Sequence, residues 1–220
     1  LVTGVQTCAL PICGTAEVLD GQTINGLTSG ASAVVSRVVL ESGTWSAGTA
    51  AGRFIMSTVV GTFVDNETIR VITTNVAVAN GTSSAITMLP SGRVETMIGN
   101  FGGGIVNTKL YGCDGKNRGF EFDGTTYVPI VTGMSTDTPT HMAVHKQHLF
   151  FAFNESLQFS ALGFPYQWTP LLGAGEIALN GTITNLLVLP GNQTTGALGV
   201  YTRNDTNILY GTSEATFQLS

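Results

Sequence analysis

The chain has 220 residues, of which 28 are glycine and only 10% are charged, and its formal net charge is −5. Proteins that bind nucleic acid tightly use clustered Lys and Arg, so this acidic composition argues against tight binding to a phosphate backbone. No stretch approaches the roughly 18 consecutive apolar residues of a membrane-spanning helix, and no span is expected.

The beginning of the chain reads as foreign to the fold. Residues 2–12 resemble the translation of a common short-read sequencing adapter, with Cys13 contributed by the junction codon. We therefore expect residues 1–13 to be an artefactual leader and leave them out of fold reasoning. This removes Cys8 and Cys13 as a thiol pair and leaves Cys113, which we expect to be a buried or half-buried small apolar residue.

Residues 14–90 are predicted to form a small β module, either a sandwich or a barrel-like fold. Short apolar runs at 33–40, 42–48 and 53–60 are bounded by Gly, Ser and Asn, a pattern typical of strands. A turn at residues 65–66 leads into one more strand.

Residues 91–220 are predicted to form part of a β-propeller-like array of antiparallel meanders, truncated at the C-terminus. The break at 90–92 marks its start, and Asp-Gly at 123–124 is a strong hairpin signal. Residues 142–161 read as a three-stranded meander, and 183–219 repeat the pattern. A sandwich or an irregular β-solenoid stays possible. No segment has a sustained helical period, so the fold class is all-β with very little helix.

The three histidines lie in one short segment, as His141, His145 and His148. On a helix this spacing would place three zinc ligands on one face. The segment reads instead as strand, tight turn, strand, and no acidic residue lies nearby in the sequence to orient the imidazoles. We treat the three as weak metal candidates and expect His145 and His148 to hydrogen-bond across the turn.

No motif indicates catalysis, and we expect a protein that is not an enzyme and needs no cofactor. The pairs Glu121 with Asp123 and Glu155 with Glu176 have the residue types of glycosidase carboxylates, but scattered acids produce such pairs by chance. Residues 173–178 fit the glycine spacing of a dinucleotide fingerprint. They lead into a turn, however, where that motif requires a helix.

Four aromatic residues are candidates for interaction with a ligand or partner: Trp45, Phe164, Tyr166 and Trp168. Such side chains can form a platform for sugars. In β proteins they belong more often to the core or to a subunit contact, and the sequence leaves both alternatives open.

Four segments of the second half share a pattern of strand, turn and closing small polar residues. They are residues 139–153, 157–168, 173–177 and 201–212. Across about 93–220 the chain resembles the tail nozzle or tail tubular proteins of short-tailed bacteriophages, whereas 14–89 do not match. The resemblance implies a virion structural protein, made in the bacterial host cytoplasm and assembled into the phage tail.

The same resemblance implies a homo-oligomeric ring that contacts other tail proteins and lets DNA pass without binding it specifically. It assigns no catalytic residue. The alternative is a receptor-binding or carbohydrate-binding β-rich adhesin, or a protein associated with a tail spike, which would use the aromatic residues to bind host-surface sugars.

Overall fold

The computed structural model describes residues 8–103, 105–192 and 195–220. It divides into two compact units, one formed by the residues up to Thr87 together with Gly124–Val128, the other by Met88–Asp123 and Pro129–Ser220. The predicted all-β class is confirmed, since the described helices are two single 3-10 turns, Ile105–Asn107 and Pro170–Leu172. Among the described residues, no helix has the length and apolar character that crossing a membrane requires.

The first unit contains a closed six-stranded antiparallel barrel, so of the two predicted alternatives the structure has the barrel. Around the barrel the strand order is β1-β4-β3-β2-β5-β6. The strands are β1 (Cys8–Gly14), β2 (Thr23–Gly26), β3 (Ser32–Ser42), β4 (Ala50–Val60), β5 (Thr68–Val71) and β6 (Thr74–Ala79). Closure leaves no strand with an unpaired edge.

The barrel interior is filled by side chains that alternate along the strands. Val35 on β3, Phe54 and Met56 on β4, and Ile69 on β5 are completely buried in one apolar cluster. Successive residues of a strand point to opposite faces, so the β-branched and aromatic residues at every second position meet in the centre.

Part of the predicted artefactual leader is a barrel strand. β1 pairs with β4 along its whole length and with β6 at its last three residues. Leu10 and Ile12 are buried in the barrel core. The origin of residues 1–13 in an adapter stays a prediction; residues 1–7 lie outside the described residues, and residues 8–13 belong to a strand of the barrel.

One predicted strand of the module is wrong. The segment predicted as a strand, residues 42–48, begins at the last residue of β3, Ser42, and otherwise lies in the connection between β3 and β4. Gly43 and Gly48 both have positive φ, at 68° and 66°, and the Thr44 hydroxyl accepts the backbone N–H of Ala47. Glycine in the left-handed region and a side-chain hydrogen bond to the local backbone are features of a turn.

Three four-stranded antiparallel sheets follow the barrel along the chain. The first sheet contains β7 (Glu95–Asn100), β8 (Thr108–Cys113), β9 (Phe120–Phe122) and β10 (Tyr127–Pro129). The second contains β11 (His141–His145), β12 (His148–Phe153), β13 (Ser156–Phe159) and β14 (Gly175–Ala178). The third contains β15 (Ile183–Val188), β16 (Leu198–Thr202), β17 (Thr206–Tyr210) and β18 (Gln218–Leu219). Each sheet is a meander, with its strands in chain order.

The predicted meander at 142–161 is confirmed by β11, β12 and β13. The sequence reading missed the fourth strand of this sheet. β14 lies within the segment that has the glycine spacing of a dinucleotide motif, and it pairs with β13 through Gln158 opposite Glu176. The four residues of β14 alternate between half-buried and exposed, which leaves only a weak strand signal.

The second sheet is covered on both faces. On β12, Leu149, Phe151 and Phe153 pack in one cluster with side chains of the first sheet. Phe150 and Ala152 pack in another cluster with side chains of the third sheet. The first strands of the three sheets are neighbours, with β11 beside β7 and beside β15. The almost unbroken apolar sequence of β12 follows from this burial on both sides.

Candidate functional site

The histidine segment is a hairpin in which His145 and His148 face each other across a two-residue turn. The two turn residues, Lys146 and Gln147, have φ of 49° and 61°. The two residues pair across the turn through their backbones, and no hydrogen bond among the described residues joins their imidazoles. His148 Nδ1 instead lies 2.6 Å from the carbonyl oxygen of Ser160. A carbonyl only accepts, so Nδ1 of His148 carries the proton and donates.

Both of these histidines have a buried ring nitrogen without a partner. Nε2 of His145 and Nε2 of His148 are inaccessible and make no hydrogen bond in the part of the chain that the structure describes. Burial lowers the pKa of His145 to about 4, and the charges of Lys146 and His148 act in the same direction. Burial also lowers the pKa of His148, against the opposing effects of the Ser160 carbonyl and Glu214. Both rings are therefore neutral at pH 7.

His141, at the beginning of β11, has a different environment. Its Nδ1 lies 3.0 and 3.1 Å from the two carboxylate oxygens of Glu95 on the neighbouring strand β7. Arg93 contacts the same carboxylate at 3.2 Å. The sequence has no acidic residue near the histidines, but the folded chain does, because β7 brings Glu95 to His141 from a distant part of the sequence.

Over residues 8–103, 105–192 and 195–220, no three His, Cys, Asp or Glu side chains are arranged to hold a metal ion. Cys113 is completely buried, as predicted. Burial raises the pKa of its thiol well above the usual range, and the neighbouring carboxylates of Glu95 and Asp114 add to this effect. The thiol is therefore not a reactive thiolate at neutral pH.

Two of the aromatic candidates are held by contacts inside the second unit. The Trp168 ring stacks on Phe151, with ring centroids 5.3 Å apart and an interplanar angle of 5°. Its Nε1 donates to the Pro165 carbonyl oxygen at 3.0 Å. The Tyr166 hydroxyl donates to Glu121 Oε2 at 2.6 Å. Each ring is half-buried, and its polar atom already has a partner.

The other two aromatic candidates differ from this pair. Phe164 is 57% exposed, so its ring is open to solvent. Trp45 belongs to the first unit, where it packs against the barrel core. A Cβ atom on Gly14 would lie 1.9 Å from the Trp45 ring, so the ring rests directly on the glycine backbone. The four residues thus belong to two separate units.

The candidate carboxylates are also in different environments. Glu121 is only 2% exposed and accepts hydrogen bonds from the hydroxyl groups of Tyr111 and Tyr166, at 3.2 and 2.6 Å. Glu176 is exposed, and its Oε1 accepts from the Ser156 hydroxyl at 2.6 Å. Glu121 therefore ties the first sheet to the loop that follows β13, a structural contact.

A groove of about 380 Å³ opens beside the β11–β12 turn. Its walls include Val144, His145, Lys146, Val188, Leu189 and Asn192. Lys146 is only 7% exposed, and its Nζ donates to the Gly211 carbonyl oxygen. None of the ion pairs among the described residues includes Lys146. The sequence reading missed this site, although a Lys-Gln pair where two-residue hairpins prefer Asn-Gly was an available signal.

Comparison with known proteins finds no family model that matches the chain, no curated protein that is similar to it and no solved structure that matches its fold.

Proposed function

We propose that the chain is a structural component of a short-tailed bacteriophage virion, part of the tail nozzle or tube through which DNA is ejected. The observation that carries the proposal is the stacking of three successive meander sheets with their first strands adjacent. Blades of a β-propeller pack in this way around a central axis. The stacking supports the blade pattern on which the resemblance to tail nozzle proteins rests.

The two end sheets of the stack support an assembly. In the first sheet, Ile98, Leu110 and Phe122 form a row on the face opposite the one that packs on the second sheet, and Ile98 is 68% exposed. In the third sheet, Leu187 and Ile208 flank Gly199 on the corresponding outer face, and Leu187 is 49% exposed.

Each outer face therefore carries an exposed apolar row. We assign the two outer faces to contacts between copies, with the third sheet of one copy against the first sheet of the next. A contact between two different faces is heterologous, and it closes a ring when the rotation per copy divides a full turn.

The charge of the chain is consistent with a DNA conduit. The net charge of −5 leaves little attraction for phosphates. A duplex passes through an acidic, Lys-poor channel without being retained, whereas a basic channel would hold it.

The test is the assembly state of the whole chain, measured by light scattering and negative-stain electron microscopy. The proposal expects rings that do not retain duplex DNA at physiological salt. Ile98→Asp and Leu187→Asp should each break the rings, because a buried unpaired carboxylate is costly. Leu171→Asp is the matched control, since Leu171 is 95% exposed in the second unit and lies outside both outer faces.

A monomer that melts cooperatively, or a ring that holds DNA, would contradict the proposal. Long-read sequencing outward from the coding locus tests the virion assignment separately. Portal, terminase and tail genes in the neighbouring frames are the expected result, and a locus without phage genes would refute it.

The alternative, an adhesin that binds host-surface sugars, has less support from the site. Of the aromatic candidates in the second unit, Trp168 and Tyr166 are engaged in internal contacts. Only Phe164 presents an open ring. One exposed ring is a small platform for a sugar.

A further inference from the structure

We propose that Asn180 and Gly181 form a self-modifying site, in which the Asn180 side chain loses ammonia and becomes aspartate or isoaspartate. The proposal does not depend on the proposed virion function. It rests on equal sequences in unequal surroundings, because the chain contains Asn-Gly at 25–26, 80–81 and 180–181, and the last two are both followed by threonine.

The reaction joins a backbone nitrogen to the side chain that precedes it. The nitrogen of Gly181 loses its proton to hydroxide and attacks Cγ of Asn180. A five-membered imide forms as the Cγ–Nδ2 bond breaks, and Nδ2 leaves as ammonia with a proton from water. Water then opens the imide. Opening at Cγ gives aspartate, and opening at the backbone carbonyl gives isoaspartate, in which the chain continues through the former side chain.

The reacting groups at Asn180 are not restrained by the protein. Asn180 is exposed in the connection between β14 and β15, and Gly181 is half-buried. Among the described residues, neither the Asn180 side chain nor the Gly181 N–H has a hydrogen-bond partner. A Cβ on Gly181 would still lie 3.7 Å from Thr202, so there is room for the imide ring.

The same tripeptide in the barrel is restrained by a carboxylate. Asn80 is exposed as well, but the backbone N–H of Gly81 donates to Asp65 Oδ1 at 2.7 Å. This hydrogen bond holds the proton that must leave, and the carboxylate opposes negative charge on the nitrogen. The peptide has to turn away from Asp65 before the ring can close.

The third pair is restrained by strand pairing. The backbone N–H of Gly26 donates to the Ala31 carbonyl oxygen at 2.8 Å, and Gly26 is buried. Asn25 lies in β2, opposite Ser32 on β3 and Arg70 on β5. Ring closure would rotate a peptide that belongs to two strand pairings. The structure thus leaves one of the three pairs open to reaction.

Isoaspartate at this position would lengthen a connection whose two ends are fixed. The backbone N–H of Leu179 donates to the Glu155 carbonyl oxygen at 2.8 Å, and that of Ile183 donates to the Asn154 carbonyl oxygen at 2.7 Å. Leu179 and Ile183 are both buried in the cluster shared by the second and third sheets. The extra backbone methylene must be accommodated between these anchors, and a negative charge is added there.

The experiment is peptide mapping by mass spectrometry of the whole chain, sampled during incubation in mildly alkaline buffer. In the folded chain, Asn180 should react about tenfold to a hundredfold faster than Asn80, the factor expected from a hydrogen bond to a charged group. In urea the two should react at closely similar rates, because each is followed by glycine and threonine.

A variant of the barrel tests the cause of the difference. Asp65→Ala removes the acceptor of the Gly81 N–H and should raise the rate at Asn80 toward that at Asn180. Asn25 should stay slow, which shows that the barrel is still folded. Glu17→Gln removes an equal charge from an exposed position in the same unit and should leave the rate at Asn80 unchanged.

Hydrogen exchange tests the consequence. In the isoaspartate form, separated by chromatography, the amide of Ile183 should exchange faster than in the parent. Asn180→Asp adds the charge without the methylene and should leave that amide unchanged.

Three results would overturn the proposal: equal rates at Asn80 and Asn180 in the folded chain, no reaction at Asn180 in the time that the unfolded chain needs, or unchanged exchange of Ile183 in the isoaspartate form. If Asp65→Ala left Asn80 slow, or accelerated Asn25 equally, the protective role assigned to Asp65 would be wrong.

Discussion

The carboxylate of Glu67 joins two loops of the barrel, and its replacement by glutamine should weaken the barrel selectively. Glu67 is 2% exposed. Its Oε2 accepts the backbone N–H groups of Thr28 and Ser29 at 3.2 and 3.0 Å. Its Oε1 accepts the backbone N–H of Val64 at 2.7 Å, and the Ser29 hydroxyl lies 2.9 Å from both oxygens.

The size of the effect follows from this arrangement. A glutamine retains one oxygen, but its NH₂ group must face a backbone N–H donor in either orientation. The less costly orientation turns the NH₂ group toward Val64 and forfeits that bond. A hydrogen bond to a charged group contributes about 1.5–3 kcal/mol, and the remaining bonds lose their charge assistance, so we expect a loss of about 3 kcal/mol.

Hydrogen exchange followed by mass spectrometry is the suitable assay because it reports on each unit separately. A loss of about 3 kcal/mol corresponds to roughly a hundredfold faster exchange of the slowest amides in β3 and β4. Amides of β12 should be unaffected. Glu17→Gln is the matched control, since Glu17 is exposed in the same unit. If Glu67→Gln accelerated barrel exchange no more than Glu17→Gln, the role assigned to the carboxylate would be wrong.

Three further predictions concern the pH dependence of Glu67, a glycine of the second unit and the first strand of the barrel. Burial alone would raise the pKa of Glu67, but its hydrogen bonds from Ser29 and neighbouring residues lower the pKa below the ordinary value of 4.5. The stabilisation of the barrel by Glu67 is therefore complete above pH 4.5 and is lost as the pH falls through the folded-state pKa. In urea melts measured against pH, Glu67→Gln should lack this loss of stability in acid. Gly119→Ala would place a Cβ 2.1 Å from the Phe151 ring and should cost about 1–3 kcal/mol, seen as faster exchange in β12 with β3 unchanged. Removal of residues 1–13 should open the barrel and expose the amides of β4, and undiminished protection of those amides would contradict the assignment of β1.

The strands that the sequence predicted correctly are those whose signal is local. β11, β12 and β13 are short runs joined by two-residue links, and Lys146-Gln147 provides a tight turn in spite of its residues. The strand predicted at residues 42–48 is wrong because Gly43 and Gly48, both with positive φ, determine the local backbone and form a turn. β14 was missed because its four residues carry almost no apolar pattern of their own and pair with a strand already formed.

The candidate site was less accessible from the sequence because its contacts join distant residues. Glu95 reaches His141 only because β7 and β11 are neighbours in the folded chain. Lys146 donates to Gly211, which lies 65 residues further along the chain. The sequence could indicate that the histidines are unusual, but their partners depend on how the sheets stack.

Stacking also separates two histidines that look equivalent in the sequence. His145 and His148 are opposite each other in the hairpin, both are buried, and each has an unpartnered Nε2. The rings of Phe150, Phe159 and Phe217 lie around His148 at centroid distances of 6.1, 5.5 and 5.3 Å, so its unpaired nitrogen is a cost of packing between sheets. His145 lies at the groove beside a buried ammonium group. Among the described residues its one ring neighbour is Phe150, at a centroid distance of 6.3 Å, so the two histidines differ in their surroundings although both Nε2 atoms are inaccessible.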